Sequence, residues 1–191
     1  MIAHLNGQLL NLTSLANSLD ISAPTVRRYL DFLESAFLIR QLTPWFSNTK
    51  KRLIKTPKVY LRDTGLLHAL LRIETISQLQ GHPALGSSWE AYILQEIITR
   101  LPPRSDIYFY RTHEGTEADV VITLQGIPEI LIEIKYSTTP KPSKGFFIAQ
   151  NDLSISKNFI ICPVSRSYLL TKDITVLSHN ELNKIFEYIA K

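Results

Sequence analysis

Residues 117 to 137, EADVVITLQGIPEILIEIKYS, limit the possible folds more than any other stretch of the chain. Two apolar runs flank a short turn-like stretch, and each run carries charge in its middle, Asp119 in the first and Glu133 and Lys135 in the second. Side chains alternate across a strand. Leu131, Glu133, Lys135 and Ser137 therefore share one face, opposite Ile130, Ile132, Ile134 and Tyr136; Asp119, Val121 and Thr123 share another, opposite Ala118, Val120, Ile122 and Leu124. A turn centred on Gly126 puts Asp119 across from Glu133, and a slip of one residue separates them. Around this hairpin the pattern predicts a helix over 87–100, strands over 107–111, 118–124 and 130–136, a helix over 144–153, strands over 158–164 and 174–177, and a last helix from Asn180. That order implies an α/β sandwich with a mixed sheet.

Two carboxylates facing each other across a ladder repel, by a few tenths of a kcal/mol or more as solvent is excluded. A divalent cation would offset this, because Mg²⁺ is held by one or two carboxylates together with water and a phosphate. Lys135 would then project beside the metal, where an ammonium orients a water or stabilises developing phosphoryl charge. Glu90 is a third acid. It has Ile93, Leu94 and Ile97 at i+3, i+4 and i+7, which places it on an apolar stripe, and an acid on an inward face needs a partner. The plain alternative is a salt bridge from Glu90 to Lys135 or Arg111, with a merely solvated polar face on the hairpin.

The first part of the chain has a different character. Residues 1–80 hold ten Lys/Arg against five Asp/Glu, a net of +5, whereas 81–191 hold eleven against twelve, a net of −1. Such a split points to different partners for the two parts. Leu12, Leu15, Ala16 and Leu19 recur at helical spacing, Asp20-Ile21-Ser22 breaks the pattern, and Val26, Tyr29, Leu30 and Leu33 resume it. Ser22 can cap the second helix, and Pro24 suits its first turn. Pro24, Thr25, Arg27, Arg28 and Asp31 lie away from the apolar residues, as in a helix-turn-helix whose second helix enters the major groove. Short strands are expected over 38–45 and 58–61. The connection NTKKRLIKTPK between them carries Lys50, Lys51, Arg52, Lys55 and Lys58 and no acid. As the wing of a winged helix it would displace counterions from phosphates; otherwise it is a solvated loop. Asp63 and Thr64 can cap a bridging helix near Leu66.

Several classes are set aside. QGHPALG, residues 80–86, marks the expected domain boundary; it has the glycine spacing of a phosphate-binding loop, but Ser87 and Ser88 stand where Lys and Ser/Thr are needed, so no nucleotide site is expected. No apolar run approaches the ~18 residues of a membrane span, and MIAHLNGQLLN does not read as a signal peptide, so a cytoplasmic location is expected, with no membrane partner. Cys162, the single cysteine, reads as a buried strand residue. His4, His68, His82, His113 and His179 are scattered and read as surface or packing residues.

The run from Leu10 to Leu71, then GSSWEAYILQEI, YFYRTHEGTEADVVI and ILIEIKYS, resembles the C-terminal region of a group of prokaryotic AAA+ ATPases. The resemblance covers nearly the whole chain. It implies a winged helix-turn-helix over 1–80, with its bridging helix, and a PD-(D/E)XK nuclease-like α/β sandwich over 81–191. It also implies that Glu90, Asp119 and Glu133 surround Mg²⁺, or Mn²⁺ in its place, with Lys135 as catalytic helper. Ala118 stands where the motif has proline, and Gln150, with Ser154 four residues on, does not supply the Gln and Tyr pair of helicase-associated relatives. Members of the group usually carry a P-loop domain upstream. The chain therefore reads as part of a longer protein or the product of a truncated gene, with an upstream ATPase domain or a separate ATPase as partner and DNA as ligand. Two functions follow from the resemblance: a Mg²⁺-dependent nuclease delivered to DNA by the winged helix, and a catalytically silent DNA- or protein-binding regulatory domain.

Overall fold

The computed structural model describes residues 1–46 and 53–187. It divides into two compact units, one formed by 1–43 and 56–92, the other by 44–55 and the chain from 93 onward. Both are mixed α/β. The division falls after Tyr92, twelve residues beyond the boundary read from QGHPALG, and residues 44–55 go with the second unit.

The first unit opens with a short 3₁₀ turn and strand β1 (Gln8–Leu9), followed by helices α1 (Leu12–Leu19) and α2 (Ala23–Ser35). Asn11 caps α1 by accepting from the Ser14 amide at 2.9 Å, and Asp20 ends it in the left-handed region at φ 53°. Ser22 caps α2 by accepting from the Thr25 amide at 3.3 Å. Pro24 fits the first turn, where its missing N–H has no intrahelical acceptor to lose. The apolar stripes of both helices, with Leu15, Ala16, Val26 and Leu30, close on Ile39, Val59, Leu61 and Leu67 to form the core. At ~1.5–3 kcal/mol for each fully buried aliphatic side chain, this core stabilises the helix pair far more than the two caps do.

α2 ends in a Schellman motif. The Leu38 amide donates to the Leu33 carbonyl and the Phe37 amide to that of Glu34, both at 3.0 Å. Phe37 occupies the left-handed position between them at φ 60°, where glycine is the usual residue. Strands β2 (Ile39–Leu42) and β3 (Lys58–Leu61) complete an antiparallel sheet of order β1-β3-β2, with Ile39 opposite Leu61 and Gln8 opposite Val59. Helix α3 (Thr64–Leu70), capped by Asp63, and the short α4 (Ile76–Gln80), opened by a Thr75–Gln78 capping box, lead into α5 (Leu85–Ile98).

The second unit is a six-stranded sheet of order β4-β5-β6-β7-β9-β8, made from β4 (Ser105–Arg111), β5 (Glu117–Leu124), β6 (Ile127–Ile134), β7 (Lys157–Cys162), β8 (Tyr168–Thr171) and β9 (Ile174–Ser178). β4, β5 and β6 run antiparallel, β7 and β9 join in parallel, and β8 closes the far edge antiparallel. Gln125 and Gly126 make the β5–β6 turn with φ 52° and 81°, the positive pair that a twisted two-residue hairpin needs. Helix α6 (Lys144–Leu153) covers one face, where Phe146 and Ala149 pack with Val121, Leu131, Ile160, Cys162 and Val176. Gly145 lets α6 come close to β5: a β-carbon there would lie 2.6 Å from the Glu117 carbonyl oxygen. A 3₁₀ turn at His179–Glu181 and the short α7 (Asn183–Phe186) end the described chain.

β4 is an edge strand, and its outer side is partly covered by the connection between β2 and β3. Pro44 bridges to Phe109 and Leu53 to Thr112, while the amides of Trp45 and Ile54 donate to the carbonyls of Phe109 and Arg111 at 2.6 and 3.1 Å. Trp45 adds an edge-to-face contact with Tyr108 at 5.3 Å. The stretch expected to stand off as a wing is thus anchored at both described ends, because unpaired amides and carbonyls of an edge strand need partners. Among the described residues no helix is long and apolar enough to cross a membrane.

Candidate functional site

The hairpin register decides where the acids fall. Next to the turn, Leu124 pairs with Ile127 and Thr123 with Pro128. Extended to the end of the hairpin, that register would set Asp119 against Ile132. An irregularity at Glu129 shifts the ladder, so that Ile122, Val121 and Val120 pair with Ile130, Leu131 and Ile132. The ladder ends at the Val120–Ile132 pair. Regular pairing stops there, and the Asp119 side chain takes over: its Oδ2 accepts from the Ile134 amide at 2.8 Å.

Glu133 is only 6% exposed. Its Oε2 accepts from the Ser143 amide at 3.0 Å and its Oε1 lies 3.2 Å from Lys135 Nζ. Ser143 is the N-cap of α6, its hydroxyl accepting from the Phe146 amide at 3.0 Å. Glu133 therefore lies at the positive end of that helix. Lys135, half-buried, also donates to the Lys141 carbonyl. On the neighbouring strand, burial pushes the Cys162 thiol up to about 11, and a thiol held protonated is a poor nucleophile. Arg111 pairs with Glu117, and the Tyr110 hydroxyl donates to Asp152, where burial and that bond raise its pKa.

Glu90 is engaged within the first unit. Lys58 Nζ lies 3.1 Å from Glu90 Oε1, and the Tyr60 hydroxyl donates to the same oxygen. This corrects two expectations. The partner of Glu90 is neither Lys135 nor Arg111, both of which bind other carboxylates. Lys58, expected among the DNA-facing cations, is 4% exposed, since all four residues of β3 are buried and an ammonium taken inside needs a counter-charge.

Glu90 belongs to the first unit, and Asp119, Glu133 and Lys135 belong to the second. Among the described residues no group of three His, Cys, Asp or Glu side chains converges closely enough to hold a metal ion. The oxygens of Glu133 already face an amide and an ammonium, and Glu90 serves Lys58 and Tyr60.

On α2, Arg27 and Arg28 are exposed and Thr25 is half-buried. The Thr25 hydroxyl shares a 2.9 Å hydrogen bond with Ser22 Oγ. Arg27 donates to Gln41 Oε1 at 3.2 Å, and Glu34 in turn binds the Gln41 amide group at 2.7 Å. Lys55 is exposed, its ammonium 5.3 Å from the centre of the Phe46 ring. Lys50, Lys51 and Arg52 lie outside the described residues. In the first unit, His4, Asn6, Gly7, His82, Ala84 and Ser87 help line a cavity of about 330 Å³. His82 Nδ1 accepts from the Ala84 amide at 3.0 Å, and His68 Nε2 shares a 2.7 Å bond with Ser88 Oγ, so both histidines hold the 80–88 stretch in place. Sequence reasoning missed the Lys58–Tyr60–Glu90 cluster, which periodicity does not signal. It also missed Ser143 as a partner of Glu133, although a serine immediately before a predicted helix marks an N-cap.

Two known sequence families match the chain. Residues 1–77 match a domain of unknown function (DUF8612), and residues 85–182 match a domain of unknown function (DUF4143). An uncharacterised protein of Mycobacterium bovis (Mb2031c) and one of Mycobacterium tuberculosis (Rv2008c) are each 40% identical over 182 residues, which is 95% of this chain and 41% of theirs. The chain thus spans about two-fifths of the length of the curated relatives it matches. No solved structure matches it. With more than half of its length in that match, the chain belongs to the DUF4143 family of domains of unknown function.

Proposed function

We propose that this chain is a DNA-associated, regulatory module of an AAA+ ATPase-type protein, with a winged helix in its first unit and a PD-(D/E)XK-like sheet in its second. The observation that carries the reading is the first unit's layout: a capped helix pair, a three-stranded sheet of order β1-β3-β2, and Arg27 and Arg28 exposed near the start of α2. Those are the parts with which a winged helix holds a duplex. The helix α5 before β4, the antiparallel β4-β5-β6 and the crossover through α6 to a parallel β7 support the second assignment.

The engagement of Asp119 and Glu133 favours a silent second unit. Duplex binding measured against salt tests the module. Each lost phosphate contact lowers the salt slope by about one. Arg28→Ala is expected to weaken binding and flatten that slope, and unchanged affinity and slope would discard groove contact through α2.

Mg²⁺- or Mn²⁺-dependent phosphodiester hydrolysis is the second reading, favoured by the one juxtaposition of Asp119, Glu133 and Lys135 at the ends of β5 and β6. Plasmid cleavage with either metal that disappears in Glu133→Ala would establish it; intact plasmid under the same conditions would remove it.

A further inference from the structure

α2 exposes more aromatic surface than its fold uses. Tyr29 is 58% exposed, Phe32 68% and Phe37 72%. Tyr29 and Phe32 are three residues apart, and Arg28 lies four before Phe32, so all three share the outer face of the helix. Phe37 follows at the Schellman position, where its φ of 60° strains any residue with a β-carbon and suits glycine. Burial does not compensate that strain, since the ring stands in solvent with the Arg62 guanidinium 5.0 Å from its centre. Strain retained at an exposed aromatic residue marks a place where something outside the fold is served. Of the two acids on α2, Glu34 is tied to the Gln41 amide groups, which leaves Asp31 against Arg27, Arg28 and Arg62.

Exposed rings interleaved with planar cations suit unpaired bases: each base has a π-face to stack on a ring, and the guanidinium groups meet phosphates. Duplex DNA offers no such faces, because its bases are already stacked on one another. Resting on the DNA-associated reading of the first unit, we infer that Tyr29, Phe32 and Phe37, with Arg28 and Arg62, form a stacking platform for single-stranded DNA.

Fluorescence anisotropy of a labelled oligothymidine and of a blunt duplex of equal length, both titrated with the full chain at two salt concentrations, tests this. The oligothymidine is expected to bind more tightly. Phe32→Ala and Phe37→Gly should each lower its affinity ~5- to 100-fold, with far less effect on the duplex. Phe37→Gly separates binding from folding, because glycine relieves the backbone: this variant should lose single-strand affinity while melting at or above the wild-type temperature. If the duplex binds as well as the single strand and both ring variants bind like wild type, the platform is wrong while the DNA-associated reading stands. If neither DNA binds, both fail. Concentration-dependent self-association that Phe32→Ala abolishes, without single-strand binding, would make the face a protein contact and overturn the platform.

Discussion

Replacing Gly145 with alanine would put a methyl carbon 2.6 Å from the Glu117 carbonyl oxygen and 3.0 Å from the Glu117 nitrogen. Both neighbours are backbone, and neither side can easily withdraw. Glu117 is laddered to Arg111 in β4, and the α6 side is fixed by Phe146 and Ala149, each fully buried. Overpacking of this kind costs about 1–3 kcal/mol. Alanine offsets part of that, since it exceeds glycine in helix propensity by up to ~1 kcal/mol, with less of the gain realised in a first turn. The clash therefore wins, and Gly145→Ala should destabilise the protein by about 1–2 kcal/mol. For a chain of this size each kcal/mol moves the midpoint ~2–4 °C, so calorimetry should show a drop of roughly 2–8 °C. Gly86→Ala is the control: it occupies the equivalent second position of α5 with no atom within 4 Å, so its midpoint should stay level or rise. A Gly145→Ala protein that melts at or above wild type would refute the claim that α6 is seated against the β5 backbone.

Other expectations follow from single contacts. Glu90→Ala leaves the Lys58 ammonium inside the first unit without its carboxylate, and with Glu90 19% exposed the loss should be about 2–3 kcal/mol by urea denaturation; an unchanged midpoint would mean that this acid does not hold the fold. The Glu181 carboxyl is held down to about 2 by Lys184 and by the Ser167 hydroxyl and amide. A depressed carboxyl contributes stability above its unfolded value, near 4.5, and loses it as pH falls toward 2. Glu181→Gln should flatten the acid limb of a Tm-against-pH curve between those values, and an unaltered limb would contradict the clamp. Cys162, with no exposed surface, should resist an aromatic disulfide reagent at pH 8 until urea is added; reaction of the native protein at the unfolded rate would show that β7 is not covered.

Much of the second unit was legible because its signals are local. The apolar runs of β5 and β6 and the turn at Gly126 are all read within a few residues of themselves. The meeting of Asp119 with the end of β6 was legible too, but for an incomplete reason. A plain two-residue hairpin would have set Asp119 against Ile132, whereas the shift at Glu129 gives Ile132 to Val120. β1 was missed because two residues, Gln8 and Leu9, carry no period. The exposed Tyr168–Thr171 run, which pairs on one side only, lacks the alternation of a half-buried strand, and β8 was missed for that reason. Glu90 was read as inward-facing from its stripe, yet its partners lie 30 and 32 residues earlier on β3, and spacing holds no record of such a pairing. The same holds for the basic connection: its composition suggests a solvated loop, whereas its described ends are fixed by the unpaired side of a strand more than fifty residues later.

That last feature bears on how the gene is dissected. A fragment cloned from residue 81 onward, the cut that composition invites, would begin after the two short stretches that shield β4 and would present bare amides and carbonyls to its neighbours in solution. Poor behaviour of such a fragment would then report a missing selvedge of the sheet and say nothing against the independence of the fold behind it.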